Sequence, residues 1–229
     1  MGLLDAAARI VQLGGEPERA ASVAGMRSRF EERTGAFAPE DAWFEERSGA
    51  FWGDAVTRQG FGRQVEDALT EEQRAWLGPL ERAHRGLFRS EAGVLVDVWS
   101  GAELIVTMAD DASRAELAAA EGQLFDGRVV VAIDPEPLAS ASLFAPMVVA
   151  LLPGSVFHPQ QAAPAIAPVL HAARERGLKT HDVLDALLRM ARTLRSLSRV
   201  KAAYAYRLEA LTLRPARPVE GAGPGSPRG

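Results

Sequence analysis

Four histidines, His84, His158, His171 and His181, are the side chains of this sequence best suited to acid–base or metal chemistry. None stands in an H-x-x-x-H or H-E-x-x-H spacing, and no acid accompanies them at ligand spacing, so no metal site is predicted. The chain has no cysteine, which excludes disulfides, iron–sulfur clusters, thiol nucleophiles and cysteine-containing zinc sites. Ser155 precedes His158 by three residues in LPGSVFHP, but Gly154-Ser155 lacks the strand-to-helix G-x-S-x-G context that exposes a nucleophile. Asp97 and Glu103 flank a turn on a face expected to be solvated, whereas a catalytic carboxylate pair needs a cleft and a shifted pKa. Neither a Walker pattern nor G-x-G-x-x-G is present, and GFG at 60–62 has no predicted strand before it. No catalytic residue and no cofactor is therefore predicted.

Binding chemistry has two candidates. Arg192, Arg195 and Arg199 fall at i, i+3 and i+7 on one helical face, with Arg189, Lys201 and Arg207 nearby, as a nucleic-acid surface requires. The segment around ARERG, 173–177, has the spacing of a weak helix-turn-helix, but the helix start that would enter a groove carries Thr180, His181, Asp182 and Asp185. Two acids there oppose phosphate. The second candidate is aromatic. Phe30, Phe37, Phe44 and Phe51 recur every seven residues, and FEERTGAF (30–37) returns as FEERSGAF (44–51). The matching d positions, Arg33, Glu40, Arg47 and Asp54, make no coiled-coil seam, and Pro39 interrupts the helix. Two aromatic faces packing on a common core account for the stripe. A protein-docking surface formed by Trp43, Phe44, Phe51 and Trp52 is the functional alternative, because aromatic residues anchor interfaces.

The elements that would position these residues follow from periodicity. Residues 3–13 have helical spacing and stop at Gly14-Gly15. Pro17 to Arg33 forms a second helix closed by Gly35, and Pro39 opens a third, with Glu40 and Asp41 in its first turn. A further helix spans Gln64–Arg85. The period then changes to alternation: GVLVDVW (93–99) and AELIVT (102–107) read as a hairpin across Ser100-Gly101. Ser113 and Glu116 form a capping box for a short helix ended by Gly122. RVVVAI (128–133), MVVALL (147–152) and Val156-Phe157 are strands. Helices resume at Pro164–Arg176, closed by Gly177, and from Thr180 as N-cap into a long segment. The Pro- and Gly-rich tail 214–229 is expected to stay unfolded.

These elements divide the chain into an acidic helical region (1–85), a small β-module with an inserted helix (86–157), a basic helical hairpin (158–213) and the tail. The expected fold class is α+β, a small antiparallel sheet or partly open barrel flanked by N-terminal and C-terminal helices. Net charge is −4 but uneven, with 25 acidic and 14 basic side chains in residues 1–136 against 5 and 12 beyond. The basic hairpin is expected to sit against the acidic half. Pro137–Ala173 carries no Asp, Glu, Lys or Arg and should be core or contact surface. No signal peptide is read at the start and no apolar run approaches the roughly 20 residues of a membrane span, so a cytoplasmic, non-membrane protein is expected. The bias to 24 Arg over 2 Lys, with abundant Ala and Gly, suggests a bacterial genome rich in G and C.

FWGDAVTRQGF (51–61), LTEEQRAWL (69–77), GLF (86–88), VDVWSGAELIV (96–106) and DGRVVVAI (126–133) resemble a loose group of uncharacterised bacterial proteins. These pair an aromatic acidic helix with a small β-module carrying a D-x-x-x-G-x-E turn, here Asp97, Gly101 and Glu103. Some members carry a SEC-C zinc motif, which the lack of cysteine excludes here. The resemblance implies the α–β–α parsing and brings no catalytic residue. The expectation is a non-enzymatic accessory or regulatory protein with a protein partner or a homo-oligomeric state. A nucleic-acid-binding regulator using Arg192, Arg195, Arg199 and Lys201 is the first alternative, and a small hydrolase the second.

Overall fold

The computed structural model describes residues 2–41, 44–107, 111–131, 147–152, 156–158 and 163–196. The chain is an α+β protein in which helices enclose a small sheet. Helix α1 (Leu3–Gly14) buries Leu3, Ala6, Ala7, Ile10 and Leu13, a stripe at helical spacing, and Asp5 accepts from the Gly2 amide at its start. A 3-10 turn at Pro17–Arg19 leads into α2 (Ala20–Thr34), which Gly35 closes at a positive φ of 85°. Helix α3 (Phe44–Thr57) begins later than Pro39, because residues 38–41 form a turn in which the Asp41 carboxylate accepts from the Ala38 amide.

The single helix read over 64–85 is instead broken into the end of α4 (Phe61–Gln64), a 3-10 turn at Glu66–Ala68 and two short helices, α5 (Glu71–Arg74) and α6 (Leu77–Glu81). Thr70 restarts the helix through a capping box with Gln73, so Leu69 is extended and the chain turns there. Strand β1 (His84–Glu91) follows at once, where the sequence had suggested helix to Arg85.

Strands β2 (Val94–Asp97) and β3 (Glu103–Thr107) form the expected hairpin. Helix α7 (Asp111–Ala119) starts before Ser113, which therefore lies inside its first turn and not at the cap, while Gly122 does end it with a φ of 72°. Strand β4 (Leu124–Val131) begins four residues before the predicted strand, and β5 (Met147–Leu151) and β6 (Val156–His158) complete the sheet. The pairings run β1–β2–β3–β5–β4 and return to β1, so five strands close on themselves into a small barrel, with β6 on the free edge of β4. The sheet is antiparallel, as expected, apart from one parallel pair, β3–β5. Helices α8 (Ala163–Glu175) and α9 (Thr180–Ser196) form the C-terminal pair, with Gly177 between them at a φ of 68°.

Three apolar clusters hold these layers together. Phe88, Leu95, Leu104, Leu117, Phe125 and Val129 fill the barrel, where Phe88 and Phe125 face each other across β1 and β4 at 5.6 Å. The second cluster joins Leu87 and Leu124, on the outer face of the same strands, to α8 and α9 through Ile166, Leu170, Val183, Leu184 and Leu187. The first unites α1–α6 with Val130, Leu152 and Leu188. The described parts of the charge-free stretch are thus strands β5 and β6, buried Leu152 and the face of α8 that buries Ile166, Val169, Leu170 and Ala173. The predicted tail lies outside the described residues, as does the chain past Ser196. Among the described residues no helix is long and apolar enough to cross a membrane.

Candidate functional site

Outer-face residues alternate along β1 and β4, and not all of them are apolar. Arg85 and Arg128 are register partners on the two strands, with Leu87 and Asp126 next on the same face. Like charges directly opposite each other destabilise a sheet, so this pair runs against the pairing rule. The strip carrying them lies between the first and second apolar clusters, where α3 approaches from one side and α9 from the other. Asp54 on α3 and Asp185 on α9 meet it there.

Arg85 is fully engaged. It donates through Nε to Asp126 Oδ1 at 3.0 Å, through Nη2 to Asp126 Oδ2 at 2.6 Å, and through Nη1 to Asp185. Asp185 also accepts from Arg33 at 2.7 Å and Arg58 at 3.1 Å, and Asp54 accepts from Arg33 at 2.6 Å and Gln59 at 2.8 Å. Burial works against the Arg85 charge, but Asp126 and Asp185 outweigh it and raise its pKa. Burial likewise opposes the Asp185 carboxylate, yet Arg85 and Arg33 hold it below the ordinary range.

Arg128 is different. Its side chain is 5% exposed and its nearest carboxylate among the described residues is Asp54, at 3.8 Å, beyond hydrogen-bond reach. Asp54 Oδ1 in turn has no hydrogen-bond partner among them. Burial, and then the Arg85 charge beside it, push the Arg128 pKa down to about 10. The guanidinium lies on helix α3 at Gly53, where a Cβ would come within 2.7 Å of Nη1. Glycine in a helix interior costs about 1 kcal/mol relative to alanine, and here its absent side chain is the room Arg128 occupies.

Arg128 faces a cleft of about 830 Å³. Asp54 and Thr57 of α3 and Arg58 just after it line one wall, Ala83, His84 and Arg85 the floor, and Trp99, Arg174 and the stretch Gly177–His181 the other side. Glu81 at its rim is held by Arg63 at 2.8 Å. The start of α9 thus opens onto the cleft; of the two acids expected to oppose an anion there, Asp185 is paired with arginines, while Asp182 offsets part of the positive helix end. Trp99 is placed by Asp97, whose carboxylate accepts from the Trp99 amide at 3.0 Å, from Ser100 Oγ at 2.7 Å and from His84 Nε2 at 3.0 Å. Gly101 completes that turn at a φ of 75°.

The residues singled out from the sequence fall elsewhere. Asp97 is buried and committed to its turn while Glu103 is exposed, so they form no acid–base pair. Phe51 is 3% exposed, and Phe44 and Trp52 pack on the first cluster; Phe30 touches Phe37 and Phe51 edge-on, and Phe37 touches Phe44. Phe30, Phe37 and Phe51 of the stripe are core, and Phe44 and Trp52 are half-buried against them. Trp43, Ser155, Arg199 and Lys201 lie outside the described residues. Arg192 and Arg195 fall on the last turns of α9. His84 and His181 share the cleft, whereas exposed His171 lies on α8 and His158 ends β6.

The expected attraction between acidic and basic halves is reversed in detail. Asp185, from the basic half, is gripped by Arg33 and Arg58 from the acidic one, and Arg189 donates to the Arg33 carbonyl. Arg33, Arg58, Arg85 and Arg128 gave no sequence signal as a site, since they are scattered over 96 positions in an Arg-rich chain; the one local cue was Gly53 inside a helix. Compared with known proteins, the chain matches no family model, no curated protein and no solved structure. Fold and site together describe an α+β protein with a small closed barrel and a cationic cleft where the barrel meets its helices.

Proposed function

We propose that this chain is a non-enzymatic binding protein, accessory or regulatory in role, whose working site is the cationic cleft and whose ligand carries an anionic group. The observation that carries this reading is Arg128: a buried guanidinium facing a cavity, opposed by a like charge and short of a hydrogen-bonded carboxylate. Burying such a group is costly unless something pairs with it. Arg174 and Lys179 on the facing wall add charge with no ion pair to a carboxylate among the described residues. The binding role thereby moves from an aromatic arm to a cleft.

Isothermal titration of the whole chain with inorganic phosphate, sulfate and acetate tests it. At least one anion is expected to bind, and Arg128→Met and the surface change Lys179→Ala are each expected to weaken it about tenfold or more. Absence of binding to all three at millimolar concentration, or binding unaffected by both changes in folded protein, overturns it.

A further inference from the structure

The cleft's two walls differ in chemistry, and, granted that the cleft binds an anion as proposed, the difference bears on which anion it takes. Of its five cationic side chains, Arg85 is spent on Asp126 and Asp185, and Arg58 on Asp185. Arg128, Arg174 and Lys179 are not hydrogen-bonded to a carboxylate among the described residues, and the start of α9 opens beside them. Asp54 is held by Arg33 and Glu81 by Arg63, and Asp182 in the first turn of α9 offsets one of the three remaining cations, which still leaves the cleft with more positive charge than a single carboxylate neutralises. A dianion with several acceptor oxygens, such as a phosphoryl group, matches donors converging from a strand, a helix end and a loop.

A bare oxyanion would leave most of the roughly 830 Å³ unfilled. The uncharged lining includes Trp99, Leu178 and Ala83, with Thr57 and Thr180 between the apolar and charged parts and the imidazoles of His84 and His181 beside them. Trp99 packs on the second cluster through part of its surface and presents the rest to the cleft. Its backbone is fixed by Asp97, and Arg174 donates to its main-chain carbonyl at 3.0 Å. A half-buried indole lining a cleft is a stacking platform for a flat ring. The cations converge on one cavity and do not form a stripe, which suits a small molecule better than a polymer track.

We infer that the cleft binds a phosphate monoester whose organic part carries a flat ring, with the phosphoryl group on Arg128, Arg174 and Lys179 and the ring against Trp99. The probes are inorganic phosphate, ribose 5-phosphate, adenosine 5′-monophosphate, adenosine and benzoate, titrated into the full chain. Adenosine 5′-monophosphate is expected to bind about tenfold tighter than ribose 5-phosphate. Trp99→Leu removes that gain, Trp99→Phe retains most of it, and Lys179→Ala weakens both phosphates. Circular dichroism confirms that the variants are folded. Equal affinity for the two phosphate esters, or a ring gain that survives Trp99→Leu, overturns the ring assignment while anion binding stands. Benzoate binding more tightly than any phosphate overturns the phosphoryl assignment alone. Failure of every anion to bind removes both this inference and the anion-binding function on which it rests.

Discussion

The two copies of FEER place Arg33 and Arg47 at equivalent positions, and the fold gives them different tasks. Arg33 bridges Asp54 and Asp185, tying α3 to α9. Arg47, 2% exposed, donates to the carbonyls of Thr34 at 2.8 Å, Gly35 at 2.5 Å and Leu188 at 3.2 Å, closing the end of α2 onto α9. Arg47→Met keeps the volume and leaves those carbonyls short of a donor; a loss of about 3 kcal/mol in urea unfolding is expected. Asp185→Asn is expected to lower stability at pH 7 by about 3 kcal/mol, because Arg85 loses one of its two buried partners. The sign with pH follows from the depressed Asp185 pKa. Its contribution is full well above the ordinary aspartate value of 3.8 and is lost as pH falls through the lower folded value. Urea midpoints measured from pH 7 down to acid should show a smaller acid-induced decline in Asp185→Asn than in the parent chain.

At the scale of elements, α3 is where stability and binding are set against each other. Gly53→Ala improves helix propensity by about 1 kcal/mol but puts a Cβ where the Arg128 guanidinium lies. Because that guanidinium ends a flexible side chain, it can swing aside. The expected outcome is a urea midpoint close to that of the parent and anion affinity weakened about tenfold, read by titration calorimetry. Much at this scale was legible in advance. Apolar spacing marked α1, Gly35 and Gly177 marked the ends of α2 and the α8–α9 turn, and alternation marked the β2–β3 hairpin. Strand β1 was not legible, for a physical reason. HRGLFRSE buries Leu87 on one face and Phe88 on the other, while Arg85 interrupts the outer face, so neither period stands out. Its neighbours make a strand of it: β4 brings Asp126 to Arg85 and Phe125 to Phe88, and β2 pairs with its second half. The short helices α4–α6 were hidden because Thr70, a cap with its partner at Gln73, sat within one apparent helical run.

For the whole molecule, the acidic helical region is not a self-sufficient domain. Its apolar cluster is completed by Val130, Leu152 and Leu188, from the barrel and from α9. A fragment of residues 1–85 exposes that face and loses the partners of Arg33 and Arg47 on α9. It is expected to show no cooperative thermal transition by circular dichroism, whereas the full chain unfolds cooperatively. The cleft has the same origin, since its residues come from α3, α6, β1, β4, the loop after β2 and the α8–α9 junction, and none of the three regions read from the sequence contains it alone.

The sequence by itself determined the order of helical and strand regions, the chemistry closed off by the lack of cysteine, and the aromatic stripe as a packing surface, because these depend on local periodicity and composition. Tertiary structure alone decided which arginines are buried and which one lacks a full partner. Arg33, Asp54, Arg85, Asp126, Arg128 and Asp185 look like ordinary surface charges along the chain. Closure of the barrel between two layers of helices buries Asp54, Asp126, Arg128 and Asp185 and half-buries Arg33 and Arg85, and it is that shared desolvation, with the charges left uneven, that makes a site.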